Sequence, residues 1–183
     1  MLRILVTLAL GALVAVPSTA SAQRRHRYTE THSSQGTLTY SVGLGIVDDG
    51  VYQDSLARPW SVRIAAPVIG KLIVGEVGLG GLSAKTPDGA RERFLIPEAQ
   101  LQLQLPLGPF RPYAGVGAGW VFGPRTPGSA ILGGEPTVST ALGLRTFLSG
   151  DRVMFNLETR VRGFGRQGES FGAEFTAGIG VTM

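Results

Sequence analysis

The chain has 183 residues, 43% of them hydrophobic and 16% charged, with 27 Gly, 11 Pro, no Cys and a net charge of +4. This balance is too apolar and too weakly charged for a disordered polymer, and the glycines follow no collagen-like triplet. No stretch beyond residue 22 supplies the roughly 18 uncharged apolar residues that a membrane-crossing helix needs, and the length suits one domain.

At the N-terminus Arg3 precedes the apolar run 4–16, which Pro17 ends before Ala20-Ser21-Ala22. A basic start, a short apolar segment and an A-x-A site form the pattern of a cleaved secretory signal peptide over residues 1–22. The run is too short to span a hydrocarbon core of about 30 Å. Residues 23–35 are polar, without periodicity, and read as a flexible linker. They hold both histidines, His26 and His32, and the cluster Arg24, Arg25 and Arg27. An exported chain without cysteine must gain its stability from something other than disulfides.

From Gly36 onward the chain alternates with period two in eight runs, 36–47, 59–68, 71–82, 93–105, 110–122, 136–148, 152–164 and 171–183. Each is long enough to cross a bilayer as a tilted strand. In the first, Leu38, Tyr40, Val42, Leu44 and Ile46 oppose Thr37, Thr39, Ser41, Gly43 and Gly45. In the fourth, Leu95, Pro97, Ala99, Leu101, Leu103 and Leu105 oppose Ile96, Glu98, Gln100, Gln102 and Gln104. The seventh sets Val153, Phe155, Leu157, Thr159 and Val161 against Asn156, Glu158, Arg160 and Arg162. In the last, Ala173, Phe175, Ala177, Ile179, Val181 and Met183 share one face.

The polar faces collect Arg63, Glu76, Glu98, Arg145, Glu158, Arg160, Arg162 and Glu174, four cations and four anions. Such a balance suits a lumen, where each ion needs a partner to offset its lost hydration. A soluble surface would carry many lysines, and this chain has only Lys71 and Lys85. Glycine recurs on the same faces (Gly43, Gly45, Gly78, Gly80, Gly115, Gly117, Gly119, Gly143, Gly172, Gly178 and Gly180). Glycine weakens a solvent-facing strand but makes room in a narrow barrel. The connections 48–58, 69–70, 83–92, 106–109, 123–135, 149–151 and 165–170 alternate long and short, the asymmetry of a transmembrane barrel. Trp60, Trp120, Phe122 and Phe171 lie on apolar faces near the long connections, and Phe110 and Phe155 near the short ones, as interfacial girdles do. The fold class is therefore all-β, an eight-stranded antiparallel up-and-down transmembrane barrel over residues 36–183.

With these features the chain resembles the small bacterial outer-membrane β-barrel proteins of the OmpA/OmpX type. The resemblance covers 36–183, and its most specific motif is the last strand. Thr176, Gly178, Val181 and Met183 are similar to the C-terminal signal read by the barrel-assembly machinery, with Met183 where the family usually ends in Phe or Trp. Pro112–Trp120 also resembles the family's Gly-rich central strand. The resemblance implies a Gram-negative outer-membrane location, contact with outer-membrane lipid and assembly-machinery partnership during biogenesis, with a monomeric barrel expected.

Other chemistries lack their residues. Gly115, Gly117 and Gly119 lie inside a strand, whereas a dinucleotide fingerprint needs a helix to follow. No histidine occurs after His32, so a histidine-based hydrolase site, common in neutral-pH acid–base catalysis, is not expected in the barrel. The four lumen glutamates face four arginines, which favours ion pairs over glycosidase-type carboxylates. No metal site, cofactor or nucleic-acid partner is expected. Eight strands enclose little more than their own side chains. The leading expectation is a non-enzymatic structural or surface-interaction barrel with a mostly filled, charge-paired lumen. One alternative is a narrow porin-like channel or outward-open pocket for a small or hydrophobic solute, lined by Gly43, Gly45, Gly78, Gly80, Gly117 and Gly119. Another is a soluble secreted lipocalin-like carrier, with the Leu/Val/Phe face turned inward.

Overall fold

The computed structural model describes residues 36–48, 55–86, 89–124, 134–148, 152–165 and 170–183. The expected signal peptide, and the linker to residue 35, lie outside the described residues. Eight strands follow in chain order: β1 (Thr37–Asp48), β2 (Ser55–Ile69), β3 (Ile73–Lys85), β4 (Arg91–Gln104), β5 (Phe110–Val121), β6 (Glu135–Leu148), β7 (Val153–Phe164) and β8 (Ser170–Thr182). Each pairs antiparallel with its sequence neighbours, and β1 pairs with β8 from Thr37↔Thr182 to Asp48↔Phe171, closing the sheet into a barrel. Closure leaves no unpaired edge.

Strand bounds match the period-two runs to within a few residues, because alternation and ladder pairing describe the same pleat. The largest departures lie at the β1–β2 hairpin, where β2 already begins at Ser55, and at the β3–β4 hairpin. In the β3–β4 hairpin Ser83, Ala84 and Lys85 pair with Arg93, Glu92 and Arg91, although apolar alternation has stopped. The connection 86–90 is consequently no longer than 105–109, so the expected long–short asymmetry is weaker than the sequence suggests. Backbone pairing continues wherever a partner strand is present, with or without an apolar face. The turns at 70–72 and 105–109 use Gly70 (φ 55°) and Gly108 (φ 66°), left-handed positions that L side chains rarely adopt.

Prolines mark local breaks. The β1–β2 ladder skips between Val42↔Trp60 and Gly45↔Ala57, next to Pro59. The β4–β5 ladder runs only to Glu98↔Gly119 before the isolated bridge Leu95↔Phe122, with Pro97 between. Proline lacks the N–H that a ladder needs.

Polarity is inverted relative to a soluble protein. Leu44, Val62, Val77, Leu101, Val116, Leu142, Leu157 and Phe175 project outward at mid-strand and are exposed. Glu76, Arg145, Glu158, Arg160, Arg162 and Glu174 project inward and are buried. A soluble monomer rarely exposes contiguous apolar area beyond a few hundred Å², and here the apolar face recurs on every strand. This corrects the carrier alternative: the Leu/Val/Phe face is the outer wall, so it cannot line a ligand cavity. The apolar core of the barrel sits inside, toward the end where β1 runs into 49–54 and β7 into 165–169. It consists of Val47, Ala57, Leu82, Ala84, Phe94, Ile96, Val121 and Phe164.

Candidate functional site

The lumen holds the chain's chemistry. All eight charged residues singled out by sequence face it, and they meet in one continuous alternating path. Starting toward the 149–152 turn, Arg145 binds Glu76 at 2.7 Å, and Glu76 also accepts from Arg63 at 3.2 Å. Arg63 reaches across to Glu158 at 2.9 Å, and Glu158 in turn binds Arg160 at 2.9 Å. Arg160 continues to Glu98, which also accepts from Arg162 at 2.5 Å. Arg162 ends the path on Glu174 at 3.2 Å. Six strands contribute (β2, β3, β4, β6, β7 and β8), so the path cross-links the barrel wall as well as balancing its charge. The period of two supplies this arrangement: Glu158, Arg160 and Arg162 are alternate residues of β7 and stack along the lumen axis.

Uncharged side chains complete the hydrogen bonding. Tyr113 donates its hydroxyl to Glu158 at 2.7 Å and lies 3.0 Å from the Asn156 amide oxygen. Ser139 donates to Glu98 at 2.5 Å. Arg160 donates to Gln100 at 3.0 Å, Gln102 to Gln100 at 3.0 Å, and Arg145 to Gln104 at 3.3 Å. The Arg145 guanidinium also stacks on the Tyr113 ring, 4.6 Å from its centroid, and Arg111 lies 3.9 Å over Phe147. Tyr113 and Ser139 were not singled out as partners by sequence. The signal was Tyr113's place on the glycine-bearing face of its strand, two residues before Gly115.

Among the described residues the six glycines do not share one pocket, unlike the expected arrangement. A Cβ at Gly78 would stand 2.6 Å from Arg63 Cγ, and one at Gly117 would stand 2.5 Å from Glu98 Oε1. Gly43 and Gly45 lie against the β8 backbone, and Gly119 against that of β4. Gly80 is less tightly covered, its nearest neighbour being the Ile96 carbonyl oxygen at 3.4 Å. These positions therefore seat charged side chains or allow close strand approach. A cavity of about 10 Å³ lies between Arg63, Glu76, Gly78, Gly80, Glu98 and Arg160. It has room for about one water molecule. Above the ion-pair path, Phe94 and Phe164 belong to the apolar cluster and are 3% and 0% exposed, so described residues fill that end of the lumen.

On the outer wall Trp60, Trp120, Phe122 and Phe171 are all exposed and lie toward the end of the apolar cluster. Trp60 packs flat over its ladder partner Gly81. Phe110 and Phe155 are exposed toward the other end. In β8, Thr176 is buried in the lumen, Gly178 packs against Ser41 and Val181 is exposed, as is Met183 just after the strand. Among the described residues no group of histidine, cysteine, aspartate and glutamate could hold a metal ion.

No family matches the sequence and no curated protein is similar to it. Solved structures do match. Neisserial surface protein A is 10% identical with a TM-score of 0.65, covering 80% of this chain and 96% of that one. The attachment invasion locus protein Ail of Yersinia pestis, solved with the heparin analogue sucrose octasulfate, is 10% identical with a TM-score of 0.53. That match covers 82% of this chain and 99% of Ail. The chain thus has the fold of the small eight-stranded outer-membrane β-barrels.

Proposed function

We propose that this protein is a non-enzymatic integral outer-membrane barrel whose lumen is sealed, and whose role is structural or surface-interacting through its connecting segments. The observation that carries this reading is the inversion of polarity, with apolar side chains on the outer wall of every strand and an alternating Arg/Glu path within. A lipid environment is the solvent in which that distribution is stable, since the closed ladder pairs the strand backbones apart from the local breaks beside Pro59 and Pro97. The absence of histidine among the described residues, and the pairing of Glu76, Glu98, Glu158 and Glu174 with arginine, support a role without catalysis. Export through cleavage after residue 22, insertion by the barrel-assembly machinery through Thr176, Gly178, Val181 and Met183, and a monomeric state complete the proposal.

Expression in a Gram-negative host followed by fractionation tests it. The expected result is detergent-dependent extraction from the outer membrane, with a band whose electrophoretic mobility changes on boiling. In planar bilayers the folded protein is expected to give no steady conductance, because the ion-pair path and the Phe94/Phe164 cluster close the lumen. A soluble protein, or a stable conducting state, would contradict the reading.

A further inference from the structure

Among the described strand residues, the outward-facing cations gather in one area. Across the ladder, Arg58 of β2 pairs with Ser83 of β3, and Ser83 pairs with Arg93 of β4. The next row places Lys85 beside Arg91. Arg58, Lys85, Arg91 and Arg93 are all exposed and share the outward parity of Trp60 and Leu95. With strands about 4.8 Å apart, the two arginines flanking Ser83 stand about 10 Å from each other along the wall. The Ser83 hydroxyl oxygen between them is buried and has no hydrogen-bond partner. Among the described residues no carboxylate pairs with any of the four cations. Glu92 alternates with Arg91 and Arg93 onto the other face, and Asp48 lies further round on β1. The described outward positions of β5, β6, β7 and β8 carry no charge at all, so the area belongs to one side of the barrel and is not a ring.

Directly beneath it runs the row Trp60, Gly81, Leu95 and Phe122. Aromatics at that level mark a membrane interface, with cations at headgroup height above them. We propose that Arg58, Lys85, Arg91 and Arg93 bind the phosphate-bearing headgroup of an anionic lipid whose acyl chains lie along Trp60, Leu79 and Leu95. Charge complementarity selects the occupant. Its source is a lipid and not a soluble polyanion, because the cations project sideways from a wall continuous with the apolar band. This inference rests on the membrane reading above.

Trp60 supplies the probe. In the full-length protein carrying Trp120→Phe, Trp60 is the sole tryptophan. The protein is folded into phosphatidylcholine vesicles containing a minor fraction of either dibrominated phosphatidic acid or dibrominated phosphatidylcholine, and Trp60 quenching is compared. A cation near an anionic surface favours it by about fivefold, so the brominated phosphatidic acid should be enriched at Trp60 at least fivefold at 0.1 M salt. High salt should erase the enrichment. Combined replacement Arg58→Gln, Lys85→Gln, Arg91→Gln and Arg93→Gln should reduce it to the phosphatidylcholine level while leaving boiling-dependent mobility intact. Equal quenching by the two lipids overturns the proposal and leaves the membrane reading standing. Failure of both brominated lipids to quench overturns the membrane reading itself. Dextran sulfate binding to the wild type but not to the fourfold variant, without lipid selectivity, overturns it in favour of a soluble polyanion.

Discussion

Neutralising the middle of the lumen path gives the sharpest energetic prediction. Glu158 accepts from Arg63 at 2.9 Å, Arg160 at 2.9 Å and Tyr113 at 2.7 Å, with its side chain 1% exposed and that of Arg160 2% exposed. Glu158→Gln keeps the shape and a carbonyl oxygen for Tyr113, but leaves the lumen with one excess positive charge. Removing one member of a buried pair costs about 3–5 kcal/mol. The lower end applies here, because Arg63 retains Glu76 and Arg160 retains Glu98. Arg160→Met should cost about the same, since Glu158 and Glu98 keep Arg63 and Arg162. The double variant restores charge balance, so its cost should fall below the sum of the singles by about 2 kcal/mol, within the range found for groups in one network. Urea unfolding in lipid vesicles, read from the boiling-dependent gel shift, measures all three. Strictly additive costs would refute the continuous path, because they would mean that the two residues act independently.

Three further outcomes follow from packing and solvation. Gly117→Ala places a methyl against Glu98 Oε1 and Ser139 Oγ, and should destabilise the barrel by about 1–3 kcal/mol in the same urea assay. Gly143→Ala meets the Tyr113 ring (2.6 Å to one ring carbon) and should cost a similar amount, with the loss reduced when Tyr113→Phe is combined with it. Leu142→Arg, on the outer wall at mid-strand, should cost about 2–4 kcal/mol in vesicles. A soluble protein would tolerate the same change on an exposed position, and a neutral effect in vesicles would place Leu142 away from lipid.

Strand number and facing were legible because a half-buried strand repeats every two residues, and eight such runs had room for nothing else. The charged lumen residues were legible for the same reason: charge on the glycine-bearing face has only one destination in a closed barrel. Their partners were not. Arg63 and Glu158 are 95 positions apart and meet only through the stagger of the closed sheet, which alternation does not encode. The apolar cluster was hidden by its position. Phe94, Leu95 and Ile96 are apolar on consecutive residues, so both faces of β4 read alike there; Ile96 falls on the Glu98 face, but alternation does not show that it joins Phe94 and Phe164 in one inward cluster. The glycines were located on the right face, yet their purpose depended on which long side chain folded over each.

In the membrane the apolar face meets lipid while the polar face closes on itself. The absence of native cysteine allows single nitroxide labels at Thr140→Cys, Ala141→Cys and Leu142→Cys of β6 in lipid vesicles. High collision rates with oxygen dissolved in the bilayer are expected at 140 and 142, and protection from both oxygen and a water-soluble nickel chelate at 141. Protection at 140 and 142 with exposure at 141 would contradict this arrangement, since that phase turns the Leu/Val/Phe face inward.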